Sequence, residues 1–169
     1  MEEQAHPTRS TAGPDHERRW AELADLVLII SREVQFRGYA DERAVPLSPS
    51  EGMVMRYLQR EPAAPPSRIA DATGLQRTNL STVLGGLERK GLVERRADPG
   101  DARGVTVHTT ELGRTNYALV RREWATAVSE AANHDTEHLD DALTLLTAVE
   151  AGLARMRPRN RATRPATGT

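Results

Sequence analysis

The stretch GLQRTNLSTVLGGLERKGLVERRADPGDARGVTVHTTELG, residues 74–113, changes its apolar period partway, and that change decides the fold. Leu80, Val83, Leu84 and Leu87 recur at i, i+3, i+4 and i+7, the inner stripe of a helix that Gly91 ends. "LVERR" then opens a strand. Beyond the turn, Val105, Val107 and Thr109 alternate with Thr106 and His108, the pattern of a half-buried return strand. The connecting "ADPGDARG" is turn chemistry: Asp98 can cap locally, Pro99 fixes φ and Gly100 permits positive φ. Upstream, Ile69, Ala70 and Thr73 give a shorter helix its inner face, and Gly74 supplies a sharp turn. The sequence therefore predicts helix, tight turn, helix and β-hairpin.

Working outward, "LSPSEG" (47–52) is a helix start, with Ser48 as cap, Pro49 in the first turn and Glu51 completing a capping box. That helix runs to about Arg60 with Met53, Val54, Tyr57 and Leu58 inward, and "EPAAPP" (61–66) ends it. A long helix begins near Asp15, its apolar stripe Trp20, Leu23, Val27, Ile30 and Val34 widened by Leu26 and Ile29, with Gly38 as terminator. After the hairpin, Thr110 caps a helix over 111–133 carrying Tyr117, Val120, Trp124 and Val128, and "NHDT" breaks it. The last helix, 135–156, presents Leu139, Leu143, Leu146, Val149, Leu153 and Met156 as a narrow seam that calls for a partner helix. The expected organisation is a disordered tail (1–14), an N-terminal dimerisation helix (15–45), a winged helix-turn-helix lobe (46–110), C-terminal dimerisation helices (111–157) and a disordered basic tail (158–169). The fold class is mainly α with a small β-hairpin wing.

The chain has 169 residues, 38% apolar content, six aromatics and no cysteine. Lack of cysteine excludes disulfides, thiolate metal sites and cysteine redox sensing, and fits a reducing cytoplasm. No apolar run approaches the ~18–20 residues of a membrane span, and the acidic, polar start does not read as a secretory signal. The net charge of −1 does not advertise nucleic-acid binding, but charge is segregated. Residues 76–103 hold six basic side chains against four acids, and the end from Arg155 holds five arginines and no acid. Of the 23 basic residues only Lys90 is a lysine.

A helix-turn-helix followed by a hairpin has a mechanical reading. The second helix enters the DNA major groove and its first residues meet base edges. Those residues are Gln76, Arg77, Thr78 and Asn79; Gln and Asn match adenine, Arg matches guanine. Ser81 and Thr82, one turn on, suit phosphates, as do Lys90, Arg95 and Arg96. The same polar residues would also serve as a plain solvated face. No Ser/His/Asp grouping or glycine-rich phosphate loop points to an enzyme, and no cofactor is called for. His134 and His138, four apart, are a weak metal candidate against a polar helix turn.

The segments "LSPSEGMVMRYLQ" and "RIADATGLQRTNLSTVLGGLERKGLVERRADPGDARGVTVHTTELGR", with their flanking helices, resemble the MarR family of winged-helix transcription regulators over about residues 20–156. The most specific part is "GLVERRADPGDAR…TTELG", which is similar to the family's G-L-[IV]-x-R…D-x-x-D-x-R…L-T-x-x-G pattern. The resemblance implies a bacterial, cytoplasmic homodimer, nucleoid-associated when bound to a pseudo-palindromic operator. It implies that Arg103 enters the minor groove from the wing tip with Asp101 as its partner. It further implies a small aromatic or anionic effector held between the dimer helices and the lobe, where Phe36, Tyr39, Met53, Tyr57 and Trp124 are the candidates. Four features depart from the pattern: Gln76 stands where Ser or Asp is frequent, Ala102 where a first wing arginine is common and Thr109 where Leu is frequent. The fourth is Gly85-Gly86, inside the second helix, at a cost of ~1 kcal/mol each. The reading is thus a ligand-responsive repressor of double-stranded DNA, the alternative being a winged-helix protein-interaction scaffold.

Overall fold

The computed structural model describes residues 13–157 apart from Pro99 and Gly100, and describes no side chains from 98 to 103. Most of the 1–14 tail, all of the 158–169 tail and the side chains of Asp101 and Arg103 lie outside the described residues. The described residues form six helices and a small antiparallel sheet: α1 (Pro14–Phe36), α2 (Pro49–Arg60), β1 (Ala63–Ala64), α3 (Pro66–Thr73), α4 (Arg77–Arg89), β2 (Val93–Asp98), β3 (Asp101–Thr109), α5 (Glu111–Ala131) and α6 (Leu139–Met156). Contacts divide it into two compact units, one ending at Arg37 and the other starting at Gly38. Residues 38–45, expected with the first helix, therefore group with the winged lobe. Ala44 and Leu47 are buried in its core, and Asn116 of α5 holds this segment by accepting from the Val45 N–H (2.7 Å) and donating to its carbonyl (3.0 Å).

The lobe's core joins Val54, Met55 and Leu58 of α2, Ile69 of α3, Leu80, Leu84 and Leu87 of α4, Leu92 and Val107 of the sheet region, and Val120 of α5, none more than 2% exposed. Each buried aliphatic side chain contributes about 1.5–3 kcal/mol. Gly74 takes the left-handed conformation (φ 74°) that the turn between α3 and α4 needs. The hairpin pairs Val93 with Thr109 through Ala97 with Val105, and an irregularity follows at Ala97/Asp98.

Three expectations are corrected. The inward methionine of α2 is Met55, fully buried, whereas Met53 is 42% exposed. The reason is Glu51. It is itself buried, and Glu51, Val54, Met55 and Leu58 form the i, i+3, i+4, i+7 face. An apolar count skips the glutamate and rotates the helix the wrong way. The sheet has a third strand: β1 pairs Ala63 with His108 and Ala64 with Val107, inside a stretch that reads as a helix stop and is too short to show a period. The last helix starts at Leu139 rather than 135. Asn133 and His134 have φ of 52° and 59°, and Asp135 Oδ1 accepts the Glu137 N–H at 2.9 Å, so the chain turns twice first.

Glu51 is buried because its carboxylate has two donors. The Ser48 N–H donates to its Oε2 at 2.8 Å, closing the expected capping box, and Lys90 Nζ donates to the same oxygen at 2.6 Å. Lys90 also donates to the Pro46 carbonyl at 2.8 Å. Burial pushes the Glu51 carboxyl up, but the Lys90 and Ser48 hydrogen bonds outweigh it and hold it below the ordinary value. Glu51 Oε1 lies 2.8 Å from where a Cβ on Gly86 would sit, so the second glycine of α4 makes room for this carboxylate. A Cβ on Gly85 would meet nothing nearer than 3.7 Å.

The two glycines should therefore behave oppositely. Gly86→Ala is expected to destabilise by about 1–3 kcal/mol and Gly85→Ala to stabilise by about 0.5–1 kcal/mol, both read by urea denaturation. Glu51 ionises more readily folded than unfolded, so its contribution is present above the unfolded-state pKa and is lost as pH falls through the lower folded value. Stability measured at a series of acid pH values should fall less steeply in Glu51→Gln than in the wild type. Thr109, 7% exposed, holds the only buried side-chain oxygen without a partner among the described residues. Thr109→Val keeps the shape and removes that cost, and should raise the melting temperature, with a gain of about 1 kcal/mol.

Candidate nucleic-acid interface

Helix α4 sits on the lobe through Leu80, Leu84 and Leu87, so its opposite side faces outward. Gln76, Arg77, Thr78, Asn79, Ser81 and Thr82 are all exposed along that side. Gln76 is the N-cap in extended conformation and its side chain caps nothing. The first-turn amides of α4 thus have no side-chain acceptor, and the positive end of the helix is open to an anion. Thr82 Oγ1 donates back to the Thr78 carbonyl at 3.4 Å, which leaves its lone pairs outward.

The hairpin supplies the second surface. Arg95 and Arg96 lie on β2 opposite Val107 and Thr106, both exposed. Each is already paired: Arg95 Nε with Glu88 at 3.3 Å, and Arg96 with Glu94. Such solvent-facing pairs are worth only about 0–1 kcal/mol, so a phosphate can displace either glutamate. Lys90 is different. Its ammonium is committed to Glu51 and the Pro46 carbonyl, and its side chain is 32% exposed. It is a structural cation rather than a phosphate contact, a correction that follows from its anchoring α4 to α2. Whether Asp101 orients Arg103 falls on side chains outside the described residues.

A hydrogen-bonded clamp joins the base of the wing to the helices on either side of it. The Thr110 N–H donates to the Leu92 carbonyl at 3.1 Å, and Thr110 Oγ1 donates to the Gly91 carbonyl at 2.7 Å and accepts from the Gly113 N–H at 2.9 Å. A Cβ on Gly113 would lie 2.0 Å from the Leu92 oxygen, so only glycine fits there. This clamp ties the end of β3, the start of α5 and the end of α4 together.

Of the five effector candidates, Phe36 belongs to the first unit and the other four to the second. Phe36 is in α1, 72% exposed, with the Arg32 guanidinium 5.2 Å from its ring centroid. Tyr39 Oη accepts the Leu47 N–H at 3.5 Å. Trp124 packs edge-on to Tyr117, ring centroids 6.4 Å apart, over the space left by Gly52. Met53 and Tyr57 share a cavity of about 140 Å³. Among its other lining residues are Arg56, Arg60, Glu150 and Arg157, which sequence reasoning did not single out because they are spread over two distant helices and the residue beyond them. His134 and His138 share no helix. His134 sits in the left-handed turn with Nδ1 2.8 Å from Ser129 Oγ, and His138 is the N-cap of α6. Among the described residues no group of three metal-binding side chains comes together, and no helix is long and apolar enough to cross a membrane.

Comparison with known proteins agrees with this architecture. Residues 45–104 match the model of the MarR family. Among solved structures, Sco3205 from Streptomyces coelicolor, a MarR family transcriptional regulator in complex with DNA, is 17% identical with a TM-score of 0.66, covering 91% of this chain and 95% of that one. The transcriptional regulator BldR from Sulfolobus solfataricus is 20% identical with a TM-score of 0.66, over 84% of this chain and 99% of that one. NadR in complex with 4-hydroxyphenylacetate is 20% identical with a TM-score of 0.56, over 89% of this chain and 99% of that one. No curated protein sequence matches the chain. The segment from residue 45 to 104 is therefore similar to the MarR family, in a chain that shares its fold with these solved structures.

Proposed function

We propose that the chain is a sequence-specific double-stranded DNA-binding transcription regulator that acts as a homodimer and answers to a small effector. The observation that carries this reading is the pairing of an uncapped, fully exposed polar face at the start of α4 with a two-stranded wing bearing arginines, on a rigidly packed lobe. Gln76, Arg77, Thr78 and Asn79 read bases; Ser81, Thr82, Arg95 and Arg96 hold phosphates; Arg103, carried over by motif, enters the minor groove with Asp101 beside it. The match of residues 45–104 to the MarR family model and the DNA complex of Sco3205 support the reading.

The dimer follows from α6. Leu139, Leu143, Leu146 and Leu153 are 40–56% exposed, a leucine seam without cover in the single chain. No residue of α1 is buried either, although Leu26, Val27, Ile29 and Ile30 are 43–56% exposed. A second copy covers both helices, and two-fold symmetry sets two α4 helices one DNA turn, ~34 Å, apart on a pseudo-palindrome. Such a regulator works in the bacterial cytoplasm, at the nucleoid.

Arg77→Ala should relax the preference at one base position by ~1–3 kcal/mol, read by selecting sites from random DNA. The same selected motif for mutant and wild type would remove Arg77 from base reading. Glu94→Gln frees Arg96 and should tighten binding in a gel shift, by roughly twofold to fivefold. If the wild type shows no salt-dependent retention of its own promoter fragment, the DNA reading fails and the lobe is a protein-interaction module.

A further inference from the structure

We propose that residues 158–164 are a DNA-binding arm that lies in the minor groove beside the major groove read by α4. This rests on the DNA reading above and adds to it a contact that reads the flank of the site. Arg157 sets where the arm starts. Its Nη1 donates to the Ala72 carbonyl of α3 at 2.9 Å. Its side chain lies across Gly74, where a Cβ would stand 3.0 Å from Arg157 Cδ and Nε. Arg157 has φ −59° and ψ 131°, the extended conformation that a following proline favours. The chain therefore leaves α6 at the turn between α3 and α4. Gln76 and Arg77, the first residues of the base-reading face, follow Gly74 within three positions.

The segment that starts there is chemically suited to a narrow groove. Residues 158–165 read PRNRATRP, with Arg159, Arg161 and Arg164 among prolines and short side chains, and without an acid. The minor groove, about 6 Å wide, admits a thin extended chain and excludes a helix. Its potential is most negative where A·T pairs narrow it, and arginine is drawn there. It borders the major groove across a single phosphate backbone, so an arm leaving the start of a recognition helix meets it next. The seven residues 158–164 can span up to about 25 Å when extended, enough to follow that groove away from α4. The acids Asp140 and Asp141 stand in the first turn of α6, and the rise of its 18 residues puts them about 27 Å from the arm's start. The arm is thus launched beside the DNA-facing helix and away from that acidic end of α6.

The test uses the full-length protein and the site that it selects from random DNA, set in duplexes of equal length with A·T, G·C or inosine·C flanks. Inosine lacks the minor-groove amino group of guanine but keeps its phosphates and major-groove acceptors. The wild type is expected to bind the A·T and inosine·C duplexes roughly fivefold to tenfold more tightly than the G·C duplex, in gel shifts at one salt concentration. Combining Arg159→Gln, Arg161→Gln and Arg164→Gln should abolish that preference and leave the selected core motif and the circular dichroism unchanged. Arg157→Ala keeps the three charges and should reduce the preference about twofold. A wild type indifferent to its flanks overturns the proposal, as does a triple variant that keeps the preference. A triple variant weakened equally on all three duplexes overturns it too, because only phosphate contact is then lost. An Arg157→Ala protein with the full preference overturns the anchoring. If no site can be selected, the DNA reading fails and the arm with it; if a site is selected without flank preference, that reading stands and the arm alone falls.

Discussion

The buried pair of Glu51 and Lys90 sets the geometry of the winged lobe. One carboxylate closes the start of α2, receives the ammonium from the end of α4, and lies against the backbone of α4 where Gly86 leaves room. The pair fixes both the distance and the rotation between the two helices. A charge this deeply placed is stable only when every oxygen has a donor or a tight fit, so each member depends on the others. In a chain with 22 arginines, the one lysine stands here. A compact ammonium on a flexible stem can reach a carboxylate and a carbonyl in a narrow space, where a planar guanidinium fork fits poorly.

A second constraint acts at the other end of α4. Gly91 and Leu92 give their carbonyls to Thr110, while Gly113 lets α5 pass directly over the Leu92 oxygen. The wing, α4 and the start of α5 therefore share one junction. Further links join the C-terminal helices to the rest of the lobe, apolar ones through Tyr117 and Val120 in the core and polar ones through Asn116 to Val45, Glu123 to the Ala40 N–H at 2.7 Å, and the Arg56–Glu150 pair.

Much of this was legible in the sequence because the informative residues signal locally. The capping box at Ser48 and Glu51, Gly74 in its turn, the leucines of α4, the alternation in β3 and the Thr110 cap each declare themselves within a few positions. What stayed hidden depended on distant residues. Glu51 belongs to the core only because Lys90 reaches it from 39 positions away, and without that knowledge the inward face of α2 is read with Met53 in place of Met55. The same contact explains both the glycine at 86 and the loss of Lys90 from the phosphate set. The strand at Ala63–Ala64 exists because β3 offers an edge, not because two alanines favour extension. The cavity arginines come from α2 and from beyond α6, so no motif could gather them.

The charge pattern has its own logic. Arg95 and Arg96 are held by Glu88 and Glu94, and the chain as a whole carries −1. Non-specific affinity for DNA comes from phosphate neutralisation and counterion release, so prepaired arginines and a near-neutral chain keep that term small. Exchanging a glutamate for a phosphate leaves a carboxylate close to the backbone of the nucleic acid, a cost incurred at every sequence alike. Under the proposed DNA reading, base contacts from the start of α4 then supply a larger share of the binding energy. Weak attraction to arbitrary sequence widens the ratio between specific and non-specific binding, and against a genome of competing sites that ratio matters more than raw affinity. Under the same reading, the acids beside the arginines serve discrimination for the same reason that they reduce attraction.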